Sequence, residues 1–407
     1  MTGEPDSPKG LPDGVSDQPR QPHATAGGGV GPSDRGPVLR LSDWKLRTII
    51  AIAAVLAVSA GLVLLAGASP GSALVGAAQG AFGSRYQTAE TILAAMPLAI
   101  VGLGATISLR ANLFNVGVQG QLQMGALTST GLLLALPHLP AAVAIPIGAI
   151  AGMFGGAAWA LLPAVMRAWR GVNEILSTLF MNYVAADVLA YFLRTVLQAP
   201  GAAVSESKAL PLADLVPKAL SGTRLSWCLL LVPVAAFGLA WWQRTPRGFG
   251  VDVFGTHPQL AARMGLRPKR TIILTLVASG AAAGLAGWMV VAGVDGTLYP
   301  SVAGDIGFNG IVAAILGGST AIGILLAAAL FGFLETGGGG LQFGIGIPAD
   351  IAPVLEGIII LAAALVMGRK LGVIARRVPR RLIVETDESP QLQLARTSRA
   401  ASTGEVE

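Results

Sequence analysis

The sequence predicts an all-α integral membrane protein. Of its 407 residues, 53% are hydrophobic and only 12% are charged, and the apolar residues occur in long runs. About 20 consecutive apolar residues are enough for a helix to cross the hydrocarbon core of a bilayer, and several runs reach that length. The 54 glycines are typical of membrane helices that pack closely. We expect about ten membrane helices, some of them discontinuous or short.

The spans are separated by polar links, and basic residues mark several of their ends. In chain order the predicted spans are 48–68, 90–109, 112–137, a glycine-rich run that ends near Arg170, 171–194, 225–242, 271–292, the stretch 306–334 and 351–367. Residues 83–88 are a predicted polar link, and residues 195–224 a connection on the outside. Residues 1–47 and 369–407 are predicted to be disordered cytoplasmic tails that flank a transmembrane domain at 48–368.

The stretch 306–334 decides how often the chain crosses the membrane. Counted as one span, it gives nine crossings and an external C-terminus, but six Lys and Arg residues between 369 and 381 indicate a cytoplasmic one. A break at Gly317–Gly318 gives ten crossings. Because the piece before the break is too short for an ordinary span, we expect a discontinuous or tilted helix pair, followed by a glycine-rich link.

A polar stripe is predicted along the third span. At 100° per residue, the amides of Asn112, Asn115, Gln119 and Gln123 fall within roughly a quarter-turn, whereas Gln121 points the opposite way. Unpaired amides are costly in hydrocarbon, so this face must meet protein or water. The stripe therefore either bonds helices together or lines a path for a polar solute. Four amides on one face favour the path.

A long polar interruption between spans is residues 244–270, which contain six Lys or Arg residues and a single acid. The excess of basic residues predicts a cytoplasmic location. The segment is either an ordinary basic loop or a docking element with Ala261 and Ala262 on one side of a short helix, suited to a groove on a soluble partner. Its predicted parts are the turn Gly255-Thr256-His257, the short helix Pro258–Met264 and the terminating Gly265.

Motifs for chemistry are missing from the sequence. We find no phosphate loop for ATP hydrolysis, no zinc motif and no nucleophile elbow, and we predict no enzyme activity. The single cysteine, Cys228, excludes an internal disulfide, and three scattered histidines argue against a metal centre. The net charge of +6 lies in the loops and indicates topology, not nucleic-acid binding. Asp187 is the deepest acid, interpreted either as a functional group or as an interhelical hydrogen-bond partner.

Three runs of the chain match a known pattern. They are Asn112-Leu113-Phe114-Asn115-Val116-Gly117-Val118-Gln119-Gly120-Gln121, then Asn173-Glu174-Ile175-Leu176-Ser177-Thr178 with Met181-Asn182-Tyr183, and Ser279-Gly280 to Gly287. These runs resemble the signatures of ABC transporter permeases, specifically of the binding-protein-dependent importers for ribose, branched-chain amino acids and nucleosides. Gly255 to Gly265 is similar to that family's cytoplasmic coupling segment, and Gly307-Phe308-Asn309-Gly310-Ile311 to its next helix. The likeness covers about 92–367 and looks most like the nucleoside-import branch.

The resemblance implies a permease subunit in a bacterial plasma membrane. Its expected partners are an extracytoplasmic binding protein, two cytoplasmic ABC ATPase subunits that use the ATP, and a second permease chain, identical or related. We expect no cofactor or metal on this chain. The pathway residues that we predict are Asn112, Asn115, Gln119, Asn173 and Asn182. The ATPase-coupling residues that we predict are Gly255, Pro258, Ala261, Ala262, Met264 and Gly265.

Nucleosides are the solute that the resemblance favours. The alternatives are a simple sugar such as ribose or branched-chain amino acids carried by the same machinery, and a secondary carrier that needs no ATPase. The sequence departs from the family pattern in two places. Gln119 stands where an acidic residue is common in the nucleoside branch, and residues 316–321 lack the usual Arg and Pro of the family's cytoplasmic turn.

Overall fold

The computed structural model describes residues 43–211, 215–345, 353–354 and 357–358. The helices of this part are α1 Asp43–Leu65, α2 Pro70–Phe82, α3 Arg85–Arg110, α4 Val118–Ala135, α5 Ala141–Arg170, α6 Glu174–Thr195, α7 Leu231–Gln243, α8 Pro246–Thr256, α9 Pro258–Arg263, α10 Pro268–Val290, α11 Ile306–Leu316 and α12 Ala321–Ile345. No β-strand occurs within these ranges, so the all-helical prediction is confirmed for them. Residues 1–42, the C-terminal tail and most of the predicted span 351–367 lie outside the described residues.

Five helices of the described part are long and apolar enough to cross a membrane. They are α3, α5, α6, α10 with its π-helical extension Val291–Asp295, and α12. Two bent pairs, α1 with α2 and the 3₁₀-extended α7 with α8, raise the number of spans to seven if each pair counts as one. The predicted total of ten crossings is therefore not confirmed by the residues that the structure describes.

Helix α4 lies at the centre of the bundle, where α5, α6, α10 and α11 contact it. Glycines allow three of these backbones to approach closely. A Cβ built on Gly152 of α5 would lie 2.8 Å from the Gly284 carbonyl oxygen of α10, and one built on Gly280 would lie 2.6 Å from the Gly156 carbonyl oxygen. Such close approach is what small residues provide in membrane helix packing. The predicted packing face at Ser279 to Gly287 is confirmed.

The break at Gly317–Gly318 is confirmed, because α11 ends at Leu316 and α12 begins at Ala321. Gly318 and Ser319 both adopt left-handed backbone conformations, with φ of 62° and 57°. The predicted glycine-rich link after residue 334 is wrong, since α12 continues through the glycines to Ile345. The physical reason is packing: a Cβ built on Gly80 of α2 would lie 2.6 Å from the Gly340 Cα.

The link predicted at 83–88 is shorter than expected. Helix α3 begins at Arg85, and the Ser84 hydroxyl caps it by accepting a hydrogen bond of 3.1 Å from the Gln87 backbone N–H. Helix α2, which the sequence reading missed, fills much of the space between the first two predicted spans. Its start is set by a Ser69 cap and by Pro70 at the first helical position.

The two ends of the bundle differ in their charges. At one end, which we name the basic end, Arg110 is the last residue of α3, and Arg167 and Arg170 lie in the last turn of α5. Helices α8 and α9 lie at the same end, where Asp252 of α8 pairs with Arg110. At the opposite end, Arg224 forms ion pairs with Glu90 and Asp295 at 3.6 and 3.1 Å.

Tyr299 joins this opposite cluster, because its hydroxyl donates to the Asp295 carboxylate at 2.7 Å. Burial and the hydrogen bond to Asp295 raise the pKa of Tyr299, so its hydroxyl keeps its proton. The long connection after α6 packs on the same end, with the Ser207 backbone N–H donating to the Leu298 carbonyl at 2.8 Å.

Candidate functional site

The predicted amide stripe begins in a loop, not in a helix. After α3 ends at Arg110 the chain is irregular until α4 starts at Val118. Asn112 is exposed and has a left-handed backbone with φ of 56°, a conformation that asparagine tolerates. The prediction that Asn112 and Asn115 share a helical face with Gln119 is therefore wrong. Helical periodicity applies only from Val118 onwards.

Asn115 forms a buried amide pair with Gln121. Its Nδ2 donates to Gln121 Oε1 at 2.8 Å, and Gln121 Nε2 donates back to Asn115 Oδ1 at 3.0 Å. Asn115 Nδ2 also donates to Ser279 Oγ of α10 at 3.0 Å. The two amides are 3% and 1% exposed, so their hydrogen bonds are satisfied inside the protein. Helical spacing could not predict this pair. It placed Gln121 on the side opposite Asn115, whereas Asn115 precedes the first residue of α4.

Asn182 caps α4 from a neighbouring helix. Its Oδ1 accepts the Gly120 backbone N–H at 2.9 Å, and its Nδ2 donates to the Val116 carbonyl at 3.0 Å. The first turn of a helix has N–H groups without an intrahelical acceptor, and Gly117 at the N-cap has no side chain to supply one. Asn182 of α6 meets this need, and it thereby fixes the loop that enters α4.

Gln119 joins α4 to α11. Its Nε2 donates to the Gly304 carbonyl, and its Oε1 accepts the Gly307 backbone N–H at 2.8 Å. Gly307 lies in the first turn of α11, and a Cβ at this position would collide with Gln119. Because the Gln119 side chain is only partly buried, its amide is still reachable from one side.

Gln123 lies one helical turn beyond Gln119 and is 8% exposed. Its Oε1 finds no hydrogen-bond partner among the residues that the structure describes. A buried amide oxygen without a partner is rare, which makes this turn of α4 an unusually polar part of the bundle.

Asn173 caps α6, and its side chain accepts the backbone N–H groups of Ile175 and Leu176 at 2.9 and 3.4 Å. The next residue, Glu174, pairs with Arg167 at 3.1 Å. These residues lie at the basic end, while Asn115, Gln119 and Asn182 meet near the start of α4. Whether the five predicted pathway residues contact a solute stays a prediction.

The substitution Gln119→Glu is expected to weaken the link between α4 and α11. A carboxylate still accepts from Gly307, but it cannot donate to the Gly304 carbonyl, so two acceptors face each other. Because Gly304 is exposed, water can replace the lost donor, and the loss of one hydrogen bond is expected to cost about 0.5–1.5 kcal/mol. We expect a lower midpoint of thermal unfolding in detergent.

The matched control is Gln79→Glu on the exposed face of α2, which should leave that midpoint unchanged. Equal midpoints for both variants would show that the Gln119 bonds do not hold α11.

The predicted short helix at the basic end is confirmed as α9, and the chain turns at Gly265 with φ of 85°. The predicted turn at Gly255-Thr256-His257 is wrong in part, because Gly255 and Thr256 belong to α8 and only His257 separates the two helices. A Cβ on Gly255 would collide with the Arg110 carbonyl oxygen, so the missing side chain lets α8 lie against the end of α3.

Ala261 and Ala262 do not share an exposed face. Ala261 is fully buried against Leu113, Phe254 and Leu276, whereas Ala262 is exposed. The exposed surface of this helix includes Leu260 and Met264, at 49% and 55%. These two large apolar side chains lie four residues apart, on one side of the segment, and at an otherwise basic end such a surface suits a protein partner. Pro258 and Gly265 are exposed as well, and Gly255 is partly exposed.

An ion pair anchors this segment to the bundle. The Arg110 guanidinium of α3 donates from both Nε and Nη2 to the two carboxylate oxygens of Asp252 in α8, the Nε bond being 2.5 Å long. A bidentate arginine–carboxylate pair fixes direction as well as distance. Movement of α8 and α9 is therefore tied directly to α3.

No group of three or more His, Cys, Asp or Glu side chains that could hold a metal occurs in the described part of the chain.

The described part of the chain is thus a close-packed bundle of membrane-length helices with a polar centre and a short helix, α9, at its basic end. Residues 87–364 match the model of the branched-chain amino acid transport system permease component family, and the chain belongs to this family. It is thus the permease subunit of an ABC transporter, as the sequence motifs predicted.

Several relatives share most of this chain. It is 32% identical over 335 residues to the guanosine ABC transporter permease protein NupP of Bacillus subtilis (strain 168), which covers 80% of this chain and 94% of the relative. It is 30% identical over 294 residues to the nucleoside ABC transporter permease protein NupB of Lactococcus lactis subsp. cremoris (strain MG1363), with 70% and 80% covered. It is also 32% identical over 289 residues to the glucose ABC transporter permease protein TsgB13 of Haloferax volcanii, with 68% and 76% covered. No solved structure matches the chain significantly.

Proposed function

We propose that this chain forms the membrane pathway of a nucleoside importer. The observation that carries the proposal is its similarity to the guanosine permease over 94% of that relative's length. A second relative is a nucleoside permease. The partly exposed amide of Gln119 and the Gln123 Oε1, unpaired within the described part of the chain, support the same conclusion, because amides exchange hydrogen bonds with hydroxyl groups and base edges without holding them as strongly as charges would.

The five predicted pathway residues take different parts in this proposal. Gln119 is partly exposed and presents its amide to the solute, while Asn115 and Asn182 hold the loop that positions it. Asn112 and Asn173 are exposed at the basic end and supply polar groups near the inner opening.

The partners follow from the same assignment. One of the two cytoplasmic ABC ATPase subunits binds at α9, where Leu260, Ala262 and Met264 are exposed. An extracytoplasmic binding protein delivers the solute at the opposite end, and a second permease chain, identical or related, completes the pathway. The basic end faces the cytoplasm of a bacterial cell, as do both termini, because basic residues are retained on that side.

Uptake of radiolabelled guanosine by cells with and without the gene tests this proposal. Loss of uptake on deletion, with competition by unlabelled adenosine but not by ribose, glucose or leucine, is the expected result. Competition by glucose alone would instead favour a sugar, a second candidate that the 32% identity to the glucose permease supports. Unchanged guanosine uptake in a strain without another nucleoside system would exclude the nucleoside assignment.

A further inference from the structure

One face of α6 is open to the outside of the chain along much of its length. The opposite face packs on α4 and α5 through Thr178, Asn182, Ala185, Leu189 and Leu193. We name the open face the Asp187 stripe. Its residues recur at helical spacing and are all exposed, namely Leu176, Phe180, Tyr183, Asp187 and Tyr191.

Asp187 lies too deep for a residue that faces lipid. It follows Glu174 by thirteen residues and precedes Thr195 by eight, which places it about 20 Å and about 12 Å from the two ends of α6 along the axis. None of the residues that the structure describes forms an ion pair or a hydrogen bond with its carboxylate. An acidic side chain at this depth of a membrane helix faces water or a polar partner.

We propose that Asp187 contacts the solute in the pathway between this chain and the second permease, which rests on the nucleoside function proposed above. Tyr183 and Tyr191 stand one turn before and one turn after Asp187 on the same face, which is the spacing at which helical side chains are neighbours. Aromatic rings accept the flat face of a base by stacking.

The carboxylate between the two rings then meets the edge of that base. An ionised carboxylate only accepts hydrogen bonds, and its two oxygens match two parallel donors. The N1–H and N2–H groups of guanine form such a pair. Hypoxanthine offers only N1–H, and adenine has an acceptor at N1. Asp187 therefore selects guanosine over inosine and inosine over adenosine.

Cysteine labelling tests the placement of this residue without reference to any particular solute. The chain has a single cysteine, Cys228, which is buried, so the parent protein gives a low background. Asp187→Cys is compared with Phe154→Cys, an exposed position thirteen residues into α5 that faces lipid in this proposal. Both variants are assembled with the second permease and the ATPase subunits in membranes and treated with a charged, membrane-impermeant thiosulfonate.

We expect the cysteine at position 187 to react faster than the one at 154, because thiolates form only where water reaches the sulfur. Guanosine should slow the reaction at 187 alone. Equal rates at the two positions would overturn the placement of Asp187 in the pathway. A fast reaction at 187 that guanosine does not slow would overturn the contact with the solute.

The relative uptake of guanosine, inosine and adenosine tests whether the Asp187 carboxylate accepts hydrogen bonds from the base. For Asp187→Asn we expect guanosine uptake to fall by about tenfold relative to adenosine uptake, as expected for the loss of roughly one charge-assisted hydrogen bond. Inosine should fall by less than guanosine, Asp187→Glu should recover part of the preference, and Phe154→Asn should leave it unchanged. An equal loss for all three nucleosides would indicate a structural role and overturn the proposal. If the wild-type chain itself imports no guanosine, the nucleoside assignment fails instead, and the labelling rates still decide where Asp187 lies.

Discussion

Replacement of Ala262 by Trp is expected to abolish most solute uptake while the helix bundle stays folded. Ala262 is exposed on α9, the short helix that together with the next residue also exposes the apolar side chains of Leu260 and Met264. In the docking proposed above, an indole in this position prevents close contact with the ATPase subunit. A loss of only about 1.4 kcal/mol of docking free energy weakens binding tenfold, so we expect uptake to fall by at least about tenfold.

Initial rates of uptake and the amount of ATPase that copurifies with the permease check this expectation. Ala142→Trp is the matched control, because it places the same ring on an exposed alanine of α5 at the opposite end of the bundle. Uptake should survive in the control. Normal uptake by Ala262→Trp, with the ATPase still bound, would rule out α9 as the docking helix.

Ala261→Trp should behave differently, although it changes the neighbouring residue. Ala261 is fully buried between α9 and the bundle, so the indole has no space and the segment should detach or the chain misfold. The measurement that separates the two variants is size-exclusion chromatography in detergent. The Ala262 variant should elute as a single peak, and the Ala261 variant should aggregate.

The substitution Gly284→Ala is expected to destabilise the protein more than any surface change. A Cβ at this position in α10 would collide with the Gly152 carbonyl oxygen and would lie 2.9 Å from the Gly156 backbone nitrogen of α5. Both obstacles are backbone atoms, so two helices must separate to accept one methyl group. Overpacking of this kind costs about 1–3 kcal/mol, and more where backbone must move.

Gly131→Ala is the matched control, because nothing lies within 4 Å of a Cβ built there, also within a helix of the core. Alanine is the better helix former by about 0.5–1 kcal/mol, so this variant should be slightly more stable than the parent. The midpoint of thermal unfolding in detergent measures both changes. A Gly284→Ala variant as stable as Gly131→Ala would mean that α5 and α10 are not in backbone contact.

The sequence by itself determined the class of fold and the positions of most helices. Long apolar runs predict membrane helices because hydrocarbon demands that each backbone group be satisfied within its own segment. Glycine pairs and proline mark breaks by local backbone preference, so the interruption at Gly317–Gly318 and the short helix that starts at Pro258 were predictable. The family motifs, read in order along the chain, predicted the permease class.

Only the tertiary structure decided which polar groups form hydrogen bonds with other groups of the protein. Asn115 precedes α4 and pairs with Gln121, and Asn182 caps α4 from α6, so the predicted single stripe separates into residues with different tasks. The exposure of Asp187 is likewise fixed by the helices that cover the other face of α6. Periodicity in sequence reports which residues share a face of one helix. It cannot report which distant segment covers that face, because contacts between helices depend on residues far apart in the chain.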